Sequence, residues 1–228
     1  MSNKNNDMLG RRSVLSGIGI AAAAVAGGTS TANAADSGFA PARHAEDAWL
    51  DELEGSHRAF LDSSTPDGGA VAMLYANNIL NAHTKAYKGA QESDYAMIVC
   101  LRHYSTVFGF GDEVWEKYGE GFYNMVGFAD PSTGAAPKVN LMQVKGLRSL
   151  QNRGNTIDSL GARGVKFAIC DNAANVISMA LSRAGFGEAK DIYADFIASA
   201  VPNGRFVAAG VVAATRAQEY GYSFLYTG

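Results

Sequence analysis

The chain has 228 residues, 47% of them hydrophobic, and a formal charge of −3. That is enough chain to bury a real core as a single domain. The mildly acidic balance leaves no basic footprint for nucleic acid or anionic lipid.

Residues 1–34 read as an export signal and not as part of the fold. Lys4, Arg11 and Arg12 precede an apolar, alanine-rich run over 14–27, and Ala32-Asn33-Ala34 form a small-residue cleavage site. Paired arginines before a mildly hydrophobic segment are the twin-arginine variety. The run is too short and too alanine-rich for a good membrane span, and a retained N-terminal anchor is the alternative. Cleavage after Ala34 would remove Lys4, Arg11 and Arg12 together with Asp7, taking the formal charge from −3 to −5. The expected destination is the periplasm, with no membrane association once the signal is gone. In that oxidising space the two cysteines pose a choice: one disulfide, or one working thiol and one buried thiol.

Within segment 35–55, Ala45, Trp49, Leu50 and Leu53 share a stripe over residues 42–54, predicting an amphipathic helix with a solvated acidic face. Residues 57–61 read as a short strand. Thr65-Pro66-Asp67 then supplies a capping hydroxyl, a first-turn proline and an acid, opening a helix that runs to about Tyr87. The run 71–75 has strand character, but Asn77, Asn78 and Asn81 follow without a turn signal. YAMIVCL, residues 95–101, is apolar at nearly every position, as in a strand covered on both faces.

A short helix over 112–118 holds Trp115, and residues 119–137 read as a long glycine-rich loop. Leu147, Leu150, Ile157 and Leu160 predict a helix over 141–160, weakened at Gly154. Residues 165–169 form a buried strand running through Cys170 into a helix from about Asn172, with Ala174, Ile177, Leu181 and Ala184 on one face. A helix over 188–200, a strand over 205–208, a helix over 211–220 and a strand over 222–226 complete the chain. This alternation predicts one α/β domain over 56–228 with a mostly parallel sheet of about five strands.

Several chemistries find no support. Phe108-Gly109-Phe110-Gly111 lacks both a Walker lysine and dinucleotide spacing, and no GxSxG elbow occurs. His44, His57, His83 and His103 do not pair at metal-ligand spacing. No metal and no cofactor is therefore expected. What stands out is Cys170, at the carboxyl end of a strand and the start of a helix, where open parallel sheets hold ligands and where helix amides favour a thiolate. Arg102 and His103 leave their strand on the same sheet edge if the strands are parallel. An arginine there would favour a thiolate and could hold an anion. The bland alternatives are a buried structural Cys170, an Arg102 paired with an acid and a His103 that caps a turn. Cys100, flanked by apolar residues, reads as structural; a Cys100–Cys170 disulfide is conceivable but awkward within a parallel sheet.

Three stretches resemble the exported branch of the DsrE/DsrF-like family. IVCLRHYSTVFGFGDEVWEKY (98–118) is similar to its strand-Arg-His segment and following helix. GVKFAICDNA (164–173) is similar to its strand-then-cysteine segment, and VVAATRAQEYGYSFLY (211–226) to its C-terminal helix and last strand. The resemblance spans residues 56–228. It implies a three-layer α/β/α sandwich and homo- or hetero-oligomers, with a homo-oligomer expected for this chain. It also implies a sulfur-relay role in which a cysteine at the place of Cys170 carries a persulfide; on the reading of the residues themselves, Arg102 and His103 would supply its positive surroundings. Partners would be a sulfur donor or acceptor protein or a small thiol. This chain departs from the relay members in looking exported. The second reading is a non-catalytic oligomeric binding or assembly domain with Cys170 in its core.

Overall fold

The computed structural model describes residues 40–228; the segment 1–34, read above as an export signal, lies outside the described residues. Five parallel strands form one sheet, β1 (His57–Ser63), β2 (Tyr95–Leu101), β3 (Lys166–Cys170), β4 (Gly204–Val207) and β5 (Ser223–Tyr226), in the order β4-β3-β2-β1-β5. The sheet is thus wholly parallel: each of the four neighbouring pairs runs the same way. The apolar runs of β2 and β3 follow from this, because both faces are covered.

On one face lie α2 (Pro66–Ala86), α3 (Asp112–Val126), α4 (Ile157–Gly161), α5 (Asp171–Arg183) and α6 (Ala189–Ala198). They share a core with the side chains of Leu61, Val99, Leu101, Phe167 and Ile169. On the other face, α7 (Gly210–Glu219) packs Ala213, Ala214 and Ala217 against Phe60, Ile98, Cys100 and Ala168. The helices on both sides make a three-layer α/β/α sandwich.

Local chemistry accounts for the regular pieces. Thr65 Oγ1 accepts the Gly68 N–H at 3.0 Å and Pro66 occupies the first turn, so α2 starts where the cap directs it. Gly127, at φ 70°, ends α3 in the left-handed conformation that favours glycine.

Three expectations are corrected. The helix predicted over 112–118 continues to Val126, through the first part of the stretch read as a loop. Gly119 and Gly121 suggested irregular chain, yet they are contact points: a Cβ on Gly119 would lie 1.9 Å from the Pro137 carbonyl oxygen. Residues 141–160 are not one helix. A single 3-10 turn, Leu141–Gln143, is followed by turns and then by α4. Gly146, Arg153 and Gly154 take φ values of 78°, 53° and 84°, which no helix accommodates. Asn152 and Asn155 donate side-chain N–H to each other's carbonyl, at 2.7 Å in both directions. Thr156 then restarts the chain with a capping box to Ser159. Finally, the N-terminal amphipathic helix is broken into a 3-10 turn, Ala45–Asp47, and one helical turn, α1 (Trp49–Glu52). Its stripe still does what the pattern implied, since Trp49 and Leu50 are buried with the α7 core.

Candidate functional site

The connections above the sheet part between β3 and β4. After β3 the chain enters α5 on one face; after β4 it enters α7 on the other. Strands whose connections diverge leave a crevice outside their carboxyl ends, the usual ligand position in open α/β sheets. A cavity of about 450 Å³ lies there, and Arg102, His103 and Cys170 all line it. The three residues singled out from the sequence are therefore brought to one place, although they come from the exits of two strands.

Cys170 closes β3 and is the N-cap of α5. Its Sγ accepts the Ala173 N–H at 3.4 Å, so the sulfur takes the place a serine or aspartate oxygen has in an ordinary cap. The residue is 6% exposed, with the cavity as its opening. Asp171 follows in the first turn. Its carboxylate accepts hydrogen bonds from Asn175 Nδ2 and from the Tyr193 hydroxyl, and this bond raises the tyrosine's pKa.

Arg102 stands one residue beyond β2 and is not a free cation beside the thiol. Asp62, 2% exposed at the end of β1, takes its guanidinium in a two-pronged ion pair: Nε donates to Oδ1 at 2.9 Å and Nη2 to Oδ2 at 2.8 Å. That hydrogen bonding to Asp62 raises the arginine's pKa further. Of the two readings of Arg102, the structure shows the one in which it pairs with an acid. Arg102 walls the cavity with its charge matched, because a buried carboxylate beside it needs a partner. Tyr226 flanks the pair, its ring centroid 5.7 Å from the guanidinium carbon.

His103 adopts φ 53°, uncommon for a residue with a side chain. It is pinned there from both sides, as the Arg102 N–H donates to the Ser63 carbonyl and the Tyr104 N–H to the Ser64 carbonyl, at 3.2 and 3.0 Å. Its ring lies exposed at the cavity mouth over Tyr104, with centroids 4.0 Å apart.

Cys100 is fully buried on the α7 face. Desolvation first, then the Asp62 carboxylate, push its thiol pKa well up, so it stays protonated and inert. Both cysteines are free. Cys100 pairs with Ala168, two residues before Cys170 on the next strand. That offset separates the α-carbons by about 8 Å, beyond the roughly 7 Å a disulfide spans. Gly210, the first residue of α7, makes this packing feasible: a Cβ there would sit 2.5 Å from Arg102 Cβ and 3.1 Å from Cys100 Sγ.

Sequence reasoning missed Asp62 and the apolar wall. The signal for Asp62 was present, as a lone acid near the end of the apolar strand Ala59-Phe60-Leu61. Val176 and Val211, 52% and 57% exposed, stand one position off the buried stripes of their helices and left no periodic trace. Among the described residues no three His, Cys, Asp or Glu are grouped to hold a metal, and no helix is long and apolar enough to cross a membrane. No family model matches this chain, and no curated protein and no solved structure matches it.

Proposed function

We propose that the protein is an exported DsrE/DsrF-like sulfur carrier in which Cys170 accepts sulfur as a persulfide. One observation carries this reading: the Cys170 sulfur caps α5 at the floor of a cavity, in the crevice where the β3 and β4 connections diverge. The sulfur accepts the Ala173 N–H and lines the cavity, so a ligand held there lies within its reach. An α/β/α sandwich is the architecture the resemblance implies, and the fold has that architecture. Arg102 and His103 are the accompanying residues, the first as a charge-balanced wall and the second at the mouth.

The carrier step balances without an oxidant. The Cys170 thiolate attacks the outer sulfur of a donor persulfide, R–S–SH. A new S–S bond forms, the donor S–S bond breaks, and the electron pair leaves on R–S⁻. Intact-mass and peptide mass spectrometry after incubation with polysulfide tests the reading. The expected result is the mass of added sulfur on Cys170 and none on Cys100, abolished by Cys170→Ser. Protein that gains no sulfur at Cys170 overturns it.

A second reading, an oligomeric assembly domain with Cys170 as a core residue, is favoured by the edge of the sheet. Phe224, Leu225 and Tyr226 of the outermost strand β5 are all exposed, and apolar edges invite pairing. Thiol labelling separates the two. The carrier reading expects a small reagent to modify Cys170 in the native fold, with Cys100 reacting only after unfolding. The assembly reading expects both to be silent, with self-association lost in Leu225→Lys by sedimentation.

A further inference from the structure

The arginine of the cavity over Cys170 is not free for an inorganic sulfur anion. Arg102, the cavity's permanent cation, is bound through two nitrogens to the buried Asp62. The amides at the start of α5 are also engaged: Asn172 N–H donates to the Ala208 carbonyl at 3.2 Å, and Ala173 N–H donates to the Cys170 sulfur. The remaining polar features of the wall are His103, the Asn172 side chain and the start of α7, where Ala209 provides no side-chain cap.

The rest of the wall is apolar, formed by Tyr104, Met125, Val176, Ile177, Ala180 and Val211. Tyr104, Val176 and Val211 are exposed around the opening. About 450 Å³ is a volume suited to a small organic ligand, far more than a sulfur oxyanion fills.

We infer that the cavity takes an organic persulfide whose substituent is uncharged and apolar, aryl or alkyl, in preference to thiosulfate or a persulfide on a charged peptide. For its chemistry this rests on Cys170 being a sulfur acceptor; for binding it rests only on the cavity. The apolar group R lies against Val176, Val211 and Met125, which puts the outer sulfur of R–S–SH next to Cys170. Transfer leaves sulfur and its hydrogen on Cys170, and R–S⁻ departs toward the mouth, past His103.

Two measurements on the full chain test it. Benzyl methyl sulfide has no transferable sulfur, and titrating it into the Cys170→Ser protein by NMR reads binding alone. Saturable binding is expected, weakened about tenfold when Val176→Gln and Val211→Gln are added. Both positions are exposed, so the fold tolerates the change. Absence of saturable binding, or binding indifferent to the two substitutions, overturns the inference. In the second measurement, wild-type protein is loaded from benzyl hydropersulfide, glutathione hydropersulfide or thiosulfate. Benzyl hydropersulfide is expected to load Cys170 about tenfold faster than glutathione hydropersulfide or thiosulfate, which lack an apolar substituent, and the double valine variant to erase that ratio. Equal rates, or faster loading from thiosulfate, overturn it. If the thioether binds while no donor loads Cys170, the cavity assignment stands and the carrier reading falls. If every donor loads equally and the thioether does not bind, the carrier reading stands and this inference falls.

Discussion

Two residues with the same formal role, Asp62 and Asp51, show how burial sets what an ion pair contributes. Asp51 meets Arg58 at 2.9 Å but is 56% exposed, so water already serves both partners. Replacing it with asparagine should change stability by less than about 1 kcal/mol. Asp62 is 2% exposed against an Arg102 that keeps 22%. Asp62→Asn strands a guanidinium in a partly dry wall and should cost about 2–3 kcal/mol in urea unfolding, short of the loss for a wholly buried pair. The same substitution leaves Arg102 unmatched beside Cys170, so loading from thiosulfate should speed up relative to benzyl hydropersulfide. A stability loss without that change in donor preference would make the pair purely architectural.

At the scale of elements, α3 and the chain from Pro137 to Asn140 form one unit. Gly119 sits under the Pro137 carbonyl with no room for a Cβ. Asp112, in the first turn of α3, accepts the Asn140 N–H at 2.8 Å. Asn140 in turn donates both amide hydrogens to the Phe108 and Phe110 carbonyls, at 2.9 and 2.8 Å. Gly119→Ala must push the backbone aside and should destabilise by about 1–3 kcal/mol, visible as a lower thermal midpoint; an unchanged midpoint would mean the segment moves freely off α3. This unit also marks where the sequence became hard to read. Elements set by their own pattern were legible, such as YAMIVCL as a doubly covered strand and Thr65-Pro66 as a helix start. Gly119 and Gly121 carry the same letters whether they loosen a loop or admit a neighbour, and only the neighbour decides. The leucine spacing over 147–160 was helical, but the left-handed Arg153 and Gly154 cut it, with the Asn152–Asn155 exchange holding the turn. Likewise, the sequence could bring Cys170, Arg102 and His103 to one sheet edge, since strand exits in a parallel sheet coincide. It could not say that Arg102 answers to Asp62, because that contact crosses 40 residues.

For the whole molecule, the helical layer over β1 to β4 is tied together by polar contacts between distant segments, and these set its response to acid. Asp195 on α6 accepts the Tyr118 hydroxyl at 2.6 Å and Lys117 Nζ at 3.0 Å, both from α3, and these contacts hold its pKa below the ordinary value. Glu92, before β2, is held down in the same way by two hydrogen bonds from Arg163, beyond α4. A carboxylate whose pKa is lower folded than unfolded binds fewer protons in the native state, so it adds stability above its unfolded pKa. That contribution fades as pH falls through the ordinary carboxylate range and is gone below the folded pKa. Stability should therefore be nearly flat from neutral pH down to about pH 5 and then fall, steepest near pH 4 and below. Asp195→Asn combined with Glu92→Gln should lower the neutral plateau slightly, since both carboxylates are partly solvated, and should flatten the acid slope. The two sites lie on separate segments, so their effects should add. Urea midpoints measured from pH 7 to 3 on both proteins check this. Parallel acid slopes would place the acid-sensitive carboxylate elsewhere, and Asp94, whose pKa is lowered by the Gln91 N–H and then by His83, would be the next residue to replace.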